Sequence, residues 1–333
     1  MKALITGGGG FLGSAIARLL VERGDTARSL SRGRYDALDA LGVEQFQGDL
    51  RNPAPIRRAM EGCDVVFHVA ARVGAWGAYE EFYLPNVLGT WNIIHACRQL
   101  GVERLVFTSS PSVIFNGSDM EGVDESVPYP DHYETHYPRT KAEAERLVLD
   151  ADSADDGLRT VSLRPHLVWG PRDTNLVPRI LSRARSGQLV RLKGPPKLID
   201  VVYIDDAARA HVQAADALRD APERVGGRAY FITSGEPVET WTMVNRILAA
   251  GGLPPLSKAV PVPVAYGIAS AMEAAWSAMG REDEPRLTRW VVSELATAHW
   301  FDISAARRDL GYAPQVSLDE GMAHLEAWLR AEG

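Results

Sequence analysis

The sequence predicts an α/β fold, a doubly wound parallel sheet followed by a smaller, mainly helical lobe. Short β-rich runs alternate with amphipathic helical stretches through the first two-thirds of the chain. A glycine cluster follows the first of those runs directly. The length of 333 residues suffices for one large domain or a domain plus a lobe.

Ala3, Leu4 and Ile5 read as a buried strand, and Phe11, Leu12, Ala15, Ile16, Leu19 and Leu20 recur at the spacing of one helix face. Between them, Gly7, Gly10 and Gly13 fit T-G-x-x-G-x-x-G, a strand-to-helix turn in which the backbone approaches a pyrophosphate. The helix start adds unpaired N–H groups and partial positive charge. Further strands are expected at Thr26 to Ser31, Val43 to Gln47, Asp64 to Val69, Arg104 to Thr108 and Thr160 to Arg164. Crossover helices are expected at Pro53 to Glu61, Tyr79 to Leu100 and Tyr137 to Asp150. This places a Rossmann-type nucleotide domain at 1–165, its sheet completed by segments near 198–215 and 228–235, and a substrate lobe at 166–333 with a discontinuous boundary.

A net charge of −7, from 36 Lys and Arg against 43 Asp and Glu, excludes a general nucleic-acid binder. The ligand is therefore expected to be small. Cys63 and Cys97 lack metal-like spacing and read as reduced core thiols of a cytoplasmic protein. No leader-like or spanning segment is read, which leaves at most a peripheral membrane contact. His132 and His136 read as loop histidines near a cleft, His68 and His166 as strand-end residues beside the cofactor and His95 as a helix-face residue; no metal is assigned.

Ligands of an open α/β sheet bind beyond the carboxyl ends of its strands. An NAD site usually has an acid after the second strand, where this chain has Ser31, followed by Arg32. Ser31 leaves room for a 2′-phosphate that Arg32 can pair with, Arg28 or Arg34 being the candidate second cation, so NADP(H) is expected ahead of NAD(H). Asp49 and Leu50 are placed to meet the adenine. After the fifth strand comes TSSPSVIF, and later HYPRTK, with Tyr137 and Lys141 one helical turn apart. A neighbouring ammonium is expected to draw the phenol's pKa down, and Ser110 to polarise a carbonyl beside it. Ser109, Ser110 and Ser112 crowd that strand end. Arg72, Trp76 and Tyr79 are expected to line the substrate cleft, Arg72 to meet a substrate carboxylate or to cover the rim.

The motifs TGGGGFLG, GDL, HVAA, PNVLGTWN, TSSPSV, YPRTK, RPHLVWGP and VYIDDAARA resemble those of the extended short-chain dehydrogenase/reductases (the NAD-dependent epimerase/dehydratase superfamily) over nearly the whole chain. SRGRY, TSSPSVIF, HYPRTK and LATAHWFDISAARRDLGY are most similar to the 3β-hydroxysteroid dehydrogenase-like branch, with the bacterial 2-alkyl-3-oxoalkanoate reductases of olefin biosynthesis. The resemblance implies catalytic Ser110, Tyr137 and Lys141, with Lys141 also on the nicotinamide ribose. It implies cofactor contacts at Gly7, Gly10, Phe11, Leu12 and Gly13, at Ala70 and Ala71, and at Pro165, Leu167 and Val168 around the carboxamide, with Asn86 supporting the geometry. The expected reaction is NADPH-dependent reduction of the 3-keto group of a hydrophobic 2-alkyl-3-oxoalkanoic acid. A 3β-hydroxysteroid or sterol-4-carboxylate dehydrogenase is the close rival. A nucleotide-sugar epimerase is disfavoured by Ser31 and Arg32, a dehydratase by Pro111 and Ser112, and a non-catalytic NADP sensor by the intact Tyr137 and Lys141.

A homodimer is expected. The apolar run from about Val264 to Met279 reads equally as a core helix or as a cleft-lining unit in which Trp276 meets an alkyl chain and the outer face rests on a membrane or a partner enzyme.

Overall fold

The computed structural model describes residues 1–332. Strands β1 (Lys2–Thr6), β2 (Thr26–Ser31), β3 (Glu44–Gln47), β4 (Val65–His68), β5 (Arg104–Thr108), β6 (Arg159–Pro165) and β7 (Arg228–Ile232) form one parallel sheet, ordered β7-β6-β5-β4-β1-β2-β3. The order reverses between β1 and β4, where Thr6 pairs with His68, so the ligand crevice opens there. Successive strand residues pack to opposite faces. Ala3, Ile5, Val65, Phe67 and Val106 join one core, while Leu4, Val66, Leu105 and Phe107 join the other. Burial on both faces is why these strands read as continuous apolar runs.

Helix α1 (Phe11–Glu22) follows the glycine turn. The stretch expected as one helix over 79–100 is interrupted: after Tyr79–Tyr83, Leu84–Leu88 is a π-helical turn that leads into α2 (Gly89–Leu100). Pro85 has no N–H to donate there, and the wider turn directs Asn86 inward. Helix α3 (His136–Asp150) carries Tyr137 and Lys141.

The segment 228–232 completes the sheet as β7, but 198–215 does not. Leu198–Ile199 and Val202–Tyr203 belong to small separate sheets, and Ile204 begins helix α4 (Ile204–Asp220), which packs along α1. The sheet of Leu198–Ile199 joins it with Val238–Glu239, His299–Phe301 and Met120–Val123. Helix α5 (Val262–Ala278) is not a core helix, since only Ala265 and Ala269 are buried while Val264, Tyr266 and Ile268 are exposed. Helix α6 (Arg289–Ala296) follows it.

Candidate active site

The glycines answer to close contacts. Gly7 has φ +70°, and a Cβ there would lie 3.0 Å from the Ala70 Cα, so neither a side chain nor the usual backbone region fits. A Cβ at Gly13 would collide with the Gly7 carbonyl, and one at Gly9 with the ring of Tyr35. Nothing in the sequence ties Tyr35 to the glycine turn. At Gly10 the only neighbour is the Gly7 carbonyl, 3.2 Å away. Gly10 caps α1 with no side-chain hydrogen bond, and the first turn of α1 carries no acid, so its N–H groups remain available to a pyrophosphate. The cradle fits a dinucleotide.

A buried polar chain joins this turn to α3. Thr90 donates to the Asn86 carbonyl, so its single proton is committed and His68 Nε2–H, 2.9 Å away, must donate to it. His68 Nδ1 is then a bare acceptor for Thr6 Oγ1 at 2.7 Å, and Thr6 in turn accepts from the Ala70 N–H. Burial first, and the Lys141 charge second, push the His68 pKa down to about 3, which keeps the ring neutral as this wiring requires. Asn86 Oδ1 accepts from the Arg72 N–H at 2.7 Å, and its amide donates to the Arg72 carbonyl and to Thr140 Oγ1 on α3, each at 3.0 Å. His68 and Asn86 thus fix the strand end, the cleft loop and α3 to one another. Ala70 lies against Gly7, whereas Ala71 is exposed beyond the chain.

The three serines separate. Ser109 is buried toward Glu145, behind the site. Ser112 donates to Ser110 Oγ at 2.9 Å, and the Tyr137 phenol lies near Ser110. The Lys141 amine is buried, donating to the Thr108 carbonyl at 2.6 Å and lying 4.0 Å from the centre of the Phe107 ring. The expected lowering of the Tyr137 pKa does not occur. Burial raises it, the neighbouring Ser110 hydroxyl opposes, and the Glu294 charge raises it further. Lys141 is turned to Thr108, and burial pulls its own pKa down to about 7 against the Glu145 charge, so the phenol gains little from it.

At the adenosine end Ser31 is buried beside Ser29, and Arg32 is exposed with no ion pair among the described residues. Arg28 is tied to Glu44 at 2.6 Å and Arg34 to Asp39 at 2.8 Å. Asp49 is held by Arg51, and the Leu50 side chain packs into the core against Gly89. Phe11 and Leu12 are half-buried at the start of α1. Beyond Pro165, Leu167 adopts φ +43°, turning the chain before Val168 pairs with Val202.

The cleft residues are more engaged than expected. The Arg72 guanidinium pairs with Glu81 at 2.6 Å and lies over Phe82. Tyr79 donates to Glu143 on α3 at 2.7 Å, and Trp76 Nε1 donates to the Arg281 carbonyl at 3.1 Å. Arg281 in turn covers the half-buried Trp276 ring at 4.4 Å. His136 opens α3 instead of lying in a loop. Among the described residues no three His, Cys, Asp or Glu side chains converge as metal ligands.

The sequence model of the 3-beta hydroxysteroid dehydrogenase/isomerase family matches residues 4–262. The chain belongs to that family. Among curated members it is 47% identical to the 2-alkyl-3-oxoalkanoate reductase of Shewanella oneidensis, covering 98% of this chain and 86% of that one. It is 46% identical to the same-named enzyme of Stenotrophomonas maltophilia, over 98% and 99% of the two chains. It is 33% identical to the decarboxylating sterol-4-alpha-carboxylate 3-dehydrogenase of Mus musculus, over 96% and 89%. Among solved structures, gox2253 superposes with a TM-score of 0.80 at 28% identity, covering 100% of this chain and 98% of that one. The NAD complex of Thermus thermophilus UDP-glucose 4-epimerase shares the fold, with a TM-score of 0.75 at 24% identity over the full length of both. This family member is therefore an NAD(P)-dependent oxidoreductase that interconverts a secondary alcohol and a ketone. No helix among the described residues is long and apolar enough to cross a membrane.

Proposed function

We propose that the protein reduces the 3-keto group of long-chain 2-alkyl-3-oxoalkanoic acids with NADPH. The observation that carries the reading is the meeting of Ser110 and Tyr137 at the end of β5, with Lys141 one turn along α3. The 46–47% identity to two enzymes of that name supports the choice of substrate over a sterol. The nicotinamide, when bound, supplies the hydride. Ser110 and Tyr137 hold the ketone oxygen, and Tyr137, kept protonated by its raised pKa, delivers the proton there. Lys141 holds the helix face to the Thr108 carbonyl and is available to the ribose; Gly7, Gly10 and Gly13 leave room for the pyrophosphate. A screen of NADPH consumption over 2-alkyl-3-oxo acids, 3-ketosteroids and UDP-sugars tests the reading, which fails if the oxo acids are inert.

Arg32 beside buried Ser31 supports NADPH. Ser31→Asp brings a carboxylate against the 2′-phosphate, where like charges in contact cost several kcal/mol, so the NADPH-to-NADH ratio of kcat/KM is expected to fall by about tenfold or more. A wild-type preference for NADH would overturn the assignment.

Helix α5 supports a hydrophobic substrate. Its exposed, uncharged outer face suits a peripheral contact with a lipid surface or a partner enzyme, and Trp276 stands at the end nearest the cleft loop. Trp276→Ala is expected to raise KM for a long-chain substrate far more than for a short one, by up to about 0.8 kcal/mol for each substrate methylene left in water. Equal rises would assign Trp276 to packing alone. Half-exposed Trp91, stacked on His95 in α2, supports a homodimer, and the two buried free thiols suit the cytoplasm.

A further inference from the structure

At the amino ends of β5 and β6, opposite the sheet edge that carries Ser110 and Tyr137, lies a cavity of about 390 Å³. Arg104, the first residue of β5, and Arg159, the first of β6, both line it. Cys97, Val102 and Leu218 are buried on its walls, and Pro222 is half-buried beside them. Four strand steps, about 13 Å, separate Arg104 from Thr108 at the catalytic end of β5, so a molecule held here does not touch the reacting groups.

The neighbouring arginines have acids. Arg98 meets Asp156 at 3.2 Å, Arg159 meets Asp152 at 3.1 Å and Glu223 at 2.6 Å, and Arg219 meets Asp220 at 2.8 Å. Arg104 has no ion pair among the described residues, although it is only 7% exposed. Its guanidinium makes one hydrogen bond among them, a long one of 3.4 Å from Nη1 to the Ala215 carbonyl on α4, and Nε is buried with no acceptor. Asp220, whose carboxyl feels the Arg104 charge, is bound at both oxygens by Arg219. A buried charge without a partner is costly, and Arg104 sits on a cavity from which a partner can be supplied.

We propose that this cavity is a second binding site, for a small organic monocarboxylate whose charge pairs with Arg104 and whose short apolar portion lies on Cys97, Val102 and Leu218. With Nη1 turned to Ala215, the Nε–Nη2 edge is left for the carboxylate, whose two oxygens match that fork. One uncommitted cation balances one negative charge. Glu103 and Asp156 stand exposed on the lining and repel a dianion such as hydrogen phosphate. The apolar walls favour a carbon chain over a bare inorganic ion. The site is independent of the oxo-acid reading and of the groups that carry it.

Hexanoate is the probe, with hexanamide as its neutral counterpart and inorganic phosphate as the competing anion. In the intact protein, the Arg104 Nε–H resonance is expected to shift during a titration with hexanoate up to about 10 mM, a range that detects millimolar affinity, and to stay in place with hexanamide. Hexanoate is also expected to raise the melting temperature of the wild type more than that of Arg104→Met, corresponding to an affinity about tenfold or more weaker in the variant. Any hexanoate bound at the active site stabilises both proteins alike, so the difference between them reports the cavity. Without added anion, Arg104→Met is expected to be no less stable than the wild type, because it discards an unpaired buried charge. An Arg104 resonance unmoved by hexanoate, or moved as far by hexanamide, overturns the proposal. Phosphate binding at Arg104 more tightly than hexanoate overturns the choice of a carboxylate. A variant much less stable before any anion is added shows that the fold itself supplies the counter-charge, which overturns the proposal as well.

Discussion

Tyr137→Phe is expected to lower kcat by about 10²–10⁴-fold while leaving cofactor affinity nearly unchanged. The ring keeps its packing and only the hydroxyl is lost. Ser110 retains its hydrogen bond from Ser112, so no buried partner is abandoned and the fold has no reason to change. The expected loss follows from the state of the phenol. Burial and Glu294 hold its pKa above the ordinary tyrosine value, so it is fully protonated at neutral pH and ready to act as an acid toward a ketone. Steady-state kinetics together with a titration of NADPH fluorescence measure both halves. A variant keeping roughly a tenth or more of the wild-type kcat would remove Tyr137 from the acid role.

The parts of the site fixed by local rules were legible in the chain. A tight turn between strand and helix needs Gly7 at positive φ and Gly13 without a Cβ, and both requirements leave a spacing in the sequence. Tyr137 and Lys141 share a face because helices repeat that way, and the strands on both sides of the switch point read through their apolar runs. What escaped depends on neighbours remote in sequence. Arg28, Arg34 and Arg72 each look free in a linear reading, yet each meets an acid that only tertiary structure supplies. The direction of the Tyr137 pKa escaped as well, because i,i+4 spacing reveals a neighbouring charge but not the burial that outweighs it. Glu294, whose charge bears on the Tyr137 phenol, carried no signal. The three-residue strand after it, His299–Phe301, belongs to a sheet assembled from segments near 120, 198, 238 and 299, too short to show a period.

The largest effect on stability is expected at Glu145, which lies on the face of α3 that carries Tyr137 and Lys141, at successive four-residue steps. Its carboxylate is fully buried and accepts from Arg164 at 2.6 Å, Ser162 at 2.7 Å and Tyr129 at 2.7 Å. Burial alone would push its pKa up, but the Arg164 charge and the hydrogen bonds outweigh burial and hold it below the ordinary glutamate value. Glu145→Gln keeps the shape but leaves the Arg164 guanidinium buried without its counter-charge, at a cost of about 3–5 kcal/mol. Replacing both partners, as in Glu145→Leu with Arg164→Met, removes the uncompensated charge and is expected to recover most of that loss. Urea unfolding midpoints of the three proteins at neutral pH measure this, and a double variant no more stable than Glu145→Gln would contradict it. The sign of the pH dependence follows from the depressed pKa. The contribution is complete above the unfolded glutamate value, near about 4.3, and is lost as pH falls through the folded one, so the wild-type advantage over Glu145→Gln shrinks in acid. Because Glu145 anchors the helix face that presents the phenol and the amine, Glu145→Gln is also expected to lose kcat at temperatures where it remains folded. The double variant, whose α3 packs on apolar side chains instead, regains stability ahead of activity.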